Sequence, residues 1–258
     1  MNINLRTSKF LIFFILFAIN FLSAQIINVE SLRKVTDSSK WSGSAGLNLS
    51  IIKNTNDIFI ISNNIHLQYN DHRHLLLFVN DLNFQKLEEN SFINQGTQHL
   101  RYNYRIAERV KLEAFLQGQY DAVSYLDFRG LAGIGPRFKL SSNDKYRVYL
   151  GTLAMYEYEK ASEEITEERV QKDIRGSAYL SFSLYPTDKI SLVSTTYYQP
   201  KLSEFKDYRI SSQTSLSLSL FKNFAFVSTF SYFIDEYPIG DTPKTQYRFT
   251  NGIAYTFD

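Results

Sequence analysis

Residues 208–220 read Tyr-Arg-Ile-Ser-Ser-Gln-Thr-Ser-Leu-Ser-Leu-Ser-Leu, and the fold class turns on this stretch. Ser211, Gln213, Ser215, Ser217 and Ser219 share one parity, while Ile210, Leu216, Leu218 and Leu220 share the other. Successive side chains of a β-strand point to opposite faces, so the segment presents one polar and one apolar surface. A helix of period 3.6 would mix the two classes around its circumference.

The same alternation recurs along the chain. In 41–51 the odd positions Trp41, Gly43, Ala45, Leu47, Leu49 and Ile51 oppose Ser42, Ser44, Asn48 and Ser50. In 59–69 Phe59, Ile61, Ile65, Leu67 and Tyr69 oppose Ser62, Asn64, His66 and Gln68. A less regular segment covers 73–84. Two clean ones follow at 97–106 and 110–120, separated by Ile-Ala-Glu-Arg. Further strands are expected at 126–140, 146–158, 174–184, 190–198, 224–234 and 247–257. With 208–220 these predict an all-β chain, a transmembrane antiparallel β-barrel of about twelve strands.

Connections alternate in length. Short turns are expected near Asp71, Glu108, 142–144, 186–188 and Lys222, and longer links at 85–96, 159–173, 199–207 and 235–246. Outer-membrane barrels have short periplasmic turns, longer outer loops and an even strand number. Aromatic residues gather at both ends: Tyr69, Tyr104, Phe138, Tyr146, Tyr185, Phe224, Tyr255 and Phe257 near short turns, and Tyr120, Tyr125, Tyr156, Tyr198 and Tyr237 near the longer links. These read as two interfacial girdles. A soluble β-sandwich or lipocalin-like barrel would alternate too, but the small polar residues of the second face would pack a soluble core poorly.

The N-terminus carries Arg6 and Lys9 ahead of an apolar run from Phe10 to Leu22 that stops at Ser23 and Ala24. The run is shorter than the roughly 20 residues a spanning helix needs, and reads as a secretory signal peptide cleaved after Ala24. The expected division is a signal peptide at 1–24, a periplasmic N-terminal segment at 25–40 and a barrel at 41–258. Removing Arg6 and Lys9 from 28 Lys+Arg leaves 26 against 26 Asp+Glu, so the mature chain is formally neutral. That balance, and the lack of a basic block with interleaved aromatics, speaks against a nucleic-acid partner. Cysteine is absent, which excludes disulfide frameworks and thiolate chemistry. His66, His72, His74 and His99 spell no zinc motif. No cofactor or metal is expected.

The stretch 100–140, LRYNYRIAERVKLEAFLQGQYDAVSYLDFRGLAGIGPRFKL, resembles the YdiY-like salt-induced outer-membrane protein family, also known as domain of unknown function 481. The likeness lies in a hairpin followed by a strand carrying Asp127, Phe128, Arg129, Gly130, Gly133 and Gly135, and extends loosely from Gly96 to Phe257. It implies an outer-membrane barrel, with outer-membrane lipid and the barrel-assembly machinery as partners, and brings no catalytic residues or ligand. Such barrels usually finish on an aromatic residue, whereas here Phe257 is penultimate and Asp258 follows.

The polar parity of the middle strands is densely charged. Arg101, Arg105, Lys111, Glu113, Asp127, Arg129, Arg137, Arg147, Glu157 and Arg175 are expected to line the lumen. Two readings follow: a narrow, basic channel for small anionic solutes, or an interlocked ion-pair network that fills the barrel, since charges withdrawn from water must be paired. Gly118, Gly130, Gly133, Gly135, Gly151 and Gly176 are expected to mark bends or close backbone approach. The acidic run at 159–173 lacks the spacing of an EF-hand and reads as a solvated loop. Two alternatives are a phospholipase-like enzyme using His66 or His99, and a barrel whose loops bind partners; with no His-x-Ser-Asn-Gly motif, the expectation is a non-enzyme.

Overall fold

The computed structural model describes residues 40–53, 57–87, 90–143, 145–163, 170–221, 224–240 and 242–255. The expected signal peptide, residues 25–39 of the expected N-terminal segment, the acidic stretch 164–169 and the terminal Phe257 and Asp258 lie outside the described residues.

Twelve strands follow one another along the chain. They are β1 (Trp41–Lys53), β2 (Asp57–Asp71), β3 (His74–Leu87), β4 (Asn90–Arg105), β5 (Val110–Asp121), β6 (Leu126–Ser142), β7 (Tyr146–Ala161), β8 (Val170–Thr187), β9 (Ile190–Lys201), β10 (Glu204–Phe221), β11 (Phe224–Asp235) and β12 (Thr245–Tyr255). They form one sheet in sequence order, every neighbouring pair antiparallel. A sandwich would need two sheets, so the soluble sandwich is overturned. Among the described residues no backbone ladder joins β1 to β12. The sheet nevertheless curls into a barrel: the Arg209 guanidinium on β10 meets the Glu157 carboxylate on β7, and the Tyr179 hydroxyl on β8 donates to Glu113 on β5. Strands three places apart touch through the interior only if the sheet wraps around it.

Two of the expected long links are strand instead. β9 and β10 reach Lys201 and Glu204, leaving only Leu202 and Ser203 between them, and β3 and β4 reach Leu87 and Asn90. Ladder bonds extend to these ends, for instance Leu87 opposite Asn90 and Glu204 opposite Lys201. The β5–β6 link is a 3₁₀ turn, Ala122–Ser124, capped by the Asp121 carboxylate, which accepts from the Val123 amide. Tyr125 closes it in the left-handed region.

The wall distributes polarity inside out. Among the described residues, 26 polar or charged side chains are buried against 12 hydrophobic ones. Large apolar side chains face outward instead, including Leu47, Ile51, Leu116, Ile134, Ile174, Leu220, Phe249 and Ile253. This inverts the arrangement of a soluble domain. The outer surface also carries aromatic pairs, Trp41 against Tyr69 at the short-turn end and Tyr198 against Tyr208 at the other.

The irregular third strand has a physical cause. Leu75, Leu77 and Val79 form a buried cluster on the inner face of β3, while Leu76 and Phe78 occupy the outer one. Both parities are apolar, so the alternation vanishes from the sequence although the strand does not. A second interior cluster, Phe115, Leu131, Leu153, Met155, Tyr179 and Tyr197, fills the waist between β5 and β9. Two glycines make room for it. A Cβ on Gly151 would overlap the Tyr179 ring, and one on Gly133 the Phe115 ring. Aromatic rings thus cover strand positions that have no side chain of their own.

Candidate functional site: the charged interior

Alternation carries charged residues inward in rows, and the register brings those rows together. Arg129 on β6 lies opposite Glu159 on β7, Glu157 opposite Asp173 on β8, and Arg209 on β10 opposite Asp235 on β11. Curling then turns neighbours along the sheet into neighbours across the lumen. Glu157 is the hub. It is 2% exposed and receives Arg175 Nε at 2.5 Å, Arg129 Nε at 3.2 Å and the Arg209 guanidinium.

Further donors of the same arginines reach other carboxylates. Arg129 Nη2 reaches Glu159 at 2.5 Å, Arg209 Nη2 reaches the same carboxylate at 3.0 Å, and Arg209 Nε reaches Asp235 at 2.7 Å. Arg175 Nη1 donates to Asp207 at 2.8 Å, and Lys201 pairs with Asp173 at 2.8 Å. Three arginines and four carboxylates therefore form one network spanning β6 to β11. A buried carboxylate is tolerated when its charge is paired and its lone pairs are satisfied.

A second hydrogen-bonded layer, with one Arg–Glu pair, lies nearer the waist. His99 is 1% exposed and stacks on Phe115 at 5.6 Å. Its Nδ1 is 2.8 Å from Gln117 Oε1, and Arg101 Nε donates to its Nε2 at 3.3 Å. Those partners specify the Nδ1–H tautomer, with both ring nitrogens engaged. Glu113, fully buried, accepts from Asn103 at 2.6 Å and from Tyr179, and faces Arg101 at 3.6 Å. His66, by contrast, is partly buried, with Nε2 3.2 Å from Asp81. Outside the wall, in the β11–β12 link, a hydrogen bond from Lys244 to Glu236 holds its ammonium above the usual lysine range.

The expected lumen residues divide by depth. Arg101, Glu113, Arg129, Arg137, Glu157 and Arg175 are buried on the inner face. Arg105 and Lys111 sit opposite one another at the short-turn end, and Lys111 opposite Arg137. Arg147 is half-buried and lies over the Tyr185 ring at 5.6 Å, which turns Tyr185 inward rather than into the girdle. Asp127 is a correction. A register shift between Leu126 and Phe128 disrupts the parity there, and Asp127 pairs at 3.1 Å with Lys160, both side chains well exposed. It belongs to the outer surface.

Sequence reading missed Glu159, Asp173, Asp207, Arg209 and Asp235 as interior groups. Their parity was legible: Glu157 and Glu159 are two apart, as are Asp207 and Arg209. They stood in or beside segments that read as loops, because the outward positions next to them, Tyr158, Lys160 and Lys206, are not purely apolar.

Fold and interior together define an antiparallel β-barrel with an apolar outer wall and a charged, hydrogen-bonded inside. The family model described as protein of unknown function, DUF481, matches residues 54–257, and the chain belongs to that family. Among solved structures the chain is similar to the NanC porin, at 6% identity and a TM-score of 0.49 over 77% of this chain and 94% of that one. No curated protein matches the sequence significantly.

Proposed function

We propose that the chain is an integral outer-membrane barrel whose lumen is blocked over much of its section by the ion-pair network, and which acts as an envelope barrel rather than as an open pore. The observation that carries this reading is Glu157, held by arginines from three different strands at 2% exposure. A water-filled channel would leave such groups hydrated. The membrane part rests on the outer band: a predominantly apolar outer surface carrying so many exposed large side chains is unfavourable in water, and a strand lattice crosses hydrocarbon only with its polar face turned inward. The network is close to charge-balanced, so it supplies no anion filter at this level. At His99 both ring nitrogens are engaged, by Gln117 and Arg101, which speaks against a general-base role there.

Planar-bilayer recording of the purified, detergent-folded chain tests the reading. The expected result is no steady current above the lipid baseline. A stable conductance that scales with salt concentration would replace the blocked barrel with a pore.

A further inference from the structure

The two ends of the interior differ in charge. At the loop end, Arg129, Arg175 and Arg209 meet four carboxylates, as described above. At the short-turn end, a pocket of about 140 Å³ is lined by Arg105, Arg109, Lys111, Arg137, Lys139, Glu108 and Tyr149. Five cations thus face one carboxylate. The volume is many times the roughly 10–15 Å³ that one water needs.

The register makes this end unusual. Arg105 lies directly opposite Lys111, and Lys111 directly opposite Arg137, so three cations share one row across β4, β5 and β6. Like charges placed opposite one another destabilise a sheet. Lys139, one inward position further along β6, lies opposite Tyr149, and Arg109 is tied to it through a backbone bond from the Lys139 amide to the Arg109 carbonyl at 2.8 Å. Among the described residues Arg105, Arg109 and Lys139 make no ion pair. Arg137 is 4% exposed and its guanidinium lies 3.8 Å from the centre of the Tyr149 ring. A stacked guanidinium is held in one plane, with its donor edge fixed before any anion arrives.

We propose that this pocket binds a small multivalent oxyanion of the phosphate class. Arg137 supplies a planar guanidinium held flat against Tyr149, and Arg105, Arg109 and Lys139 supply the charge that a monovalent ion would not balance. The anion would bridge Arg105 on β4 to Lys139 on β6 and to Arg109 in the turn before β5, so binding also stabilises the short-turn end of β4–β6. Loss of the site would leave the blocked barrel intact, and a conducting barrel could still hold the site.

The test is titration of the folded full chain with inorganic phosphate in a zwitterionic detergent, read by calorimetry and by 31P line broadening. The expected result is saturable binding, weakened at least tenfold in the double variant Arg109→Gln, Lys139→Gln. Lys139→Arg should stay within about twofold of the native affinity, as should Lys244→Gln at the opposite end. Gel migration without heating confirms that each variant is folded. Glycerol phosphate and short-chain phosphatidic acid then serve as competitors. Equal displacement assigns the pocket to soluble phosphates and stronger displacement by the lipid to a headgroup, both sustaining a phosphate site. Absence of saturable binding, unchanged affinity in the double variant, or equal displacement by chloride at matched ionic strength overturns it.

Discussion

At Glu157 three guanidiniums converge on one carboxylate in a place with almost no solvent. Replacing it by glutamine leaves Arg129, Arg175 and Arg209 close together with one compensating charge fewer. Breaking a buried pair by deleting one partner costs about 3–5 kcal/mol, and a loss of that order is expected for Glu157→Gln in urea unfolding of the detergent-folded barrel. Asp127→Asn breaks an ion pair of similar length on the exposed outer surface, where about 0–1 kcal/mol is expected. Near-equal losses from the two substitutions would contradict the assignment of Glu157 inside and Asp127 outside. Tyr179→Phe removes only a hydroxyl, but leaves an oxygen of the fully buried Glu113 short of a donor. About 1–3 kcal/mol of lost stability is expected from the same unfolding measurement.

At the scale of the strand, parity decides what a substitution does. Ile134 on β6 is 54% exposed on the outer face, whereas Ser215 on β10 lies inward and exchanges a 2.9 Å hydrogen bond with Thr229. Ile134→Arg should cost about 2–4 kcal/mol of folding free energy in lipid if the residue lies near the midplane. Ser215→Arg should cost clearly less, because its guanidinium stays on the wet side. Folding equilibria in lipid vesicles measure both, and the opposite order would mean the wall faces the other way. The same parity explains how much was legible beforehand. Eleven of the twelve strands could be placed from alternation, because a strand with one greasy and one polar face declares itself in sequence; β3, apolar on both faces, stood out only as a less regular segment. The extensions of β7, β9 and β10 were not legible, since beyond the apolar band the outer face turns polar and only ladder bonds and interior ion pairs keep the chain extended. The bulge that ejects Asp127 left no mark either, as one extra residue changes parity without changing composition.

For the molecule as a whole, alternation establishes which residues face inward, but not which of them meet. Arg129, Glu157 and Arg175 could be named as inward residues from sequence, yet their convergence with Arg209 depends on how tightly the sheet curls. Curvature is set by strand number, tilt and stagger rather than by any one segment. The interior clusters carry the same lesson: Tyr179 covers Gly151 and Phe115 covers Gly133 across neighbouring strands, a pairing that local sequence does not encode. Out of that geometry comes a lumen with a paired loop end, a packed waist and a basic short-turn end.

The barrel requires a wall that is apolar towards lipid and polar within. Migration on mildly denaturing gels tests it most directly, with envelope protein extracted into detergent and loaded with and without boiling. A closed barrel resists the detergent and runs faster unheated than heated, and the band should fractionate with the outer membrane. A single position in both lanes, with the protein recovered in the soluble fraction without detergent, would contradict the account.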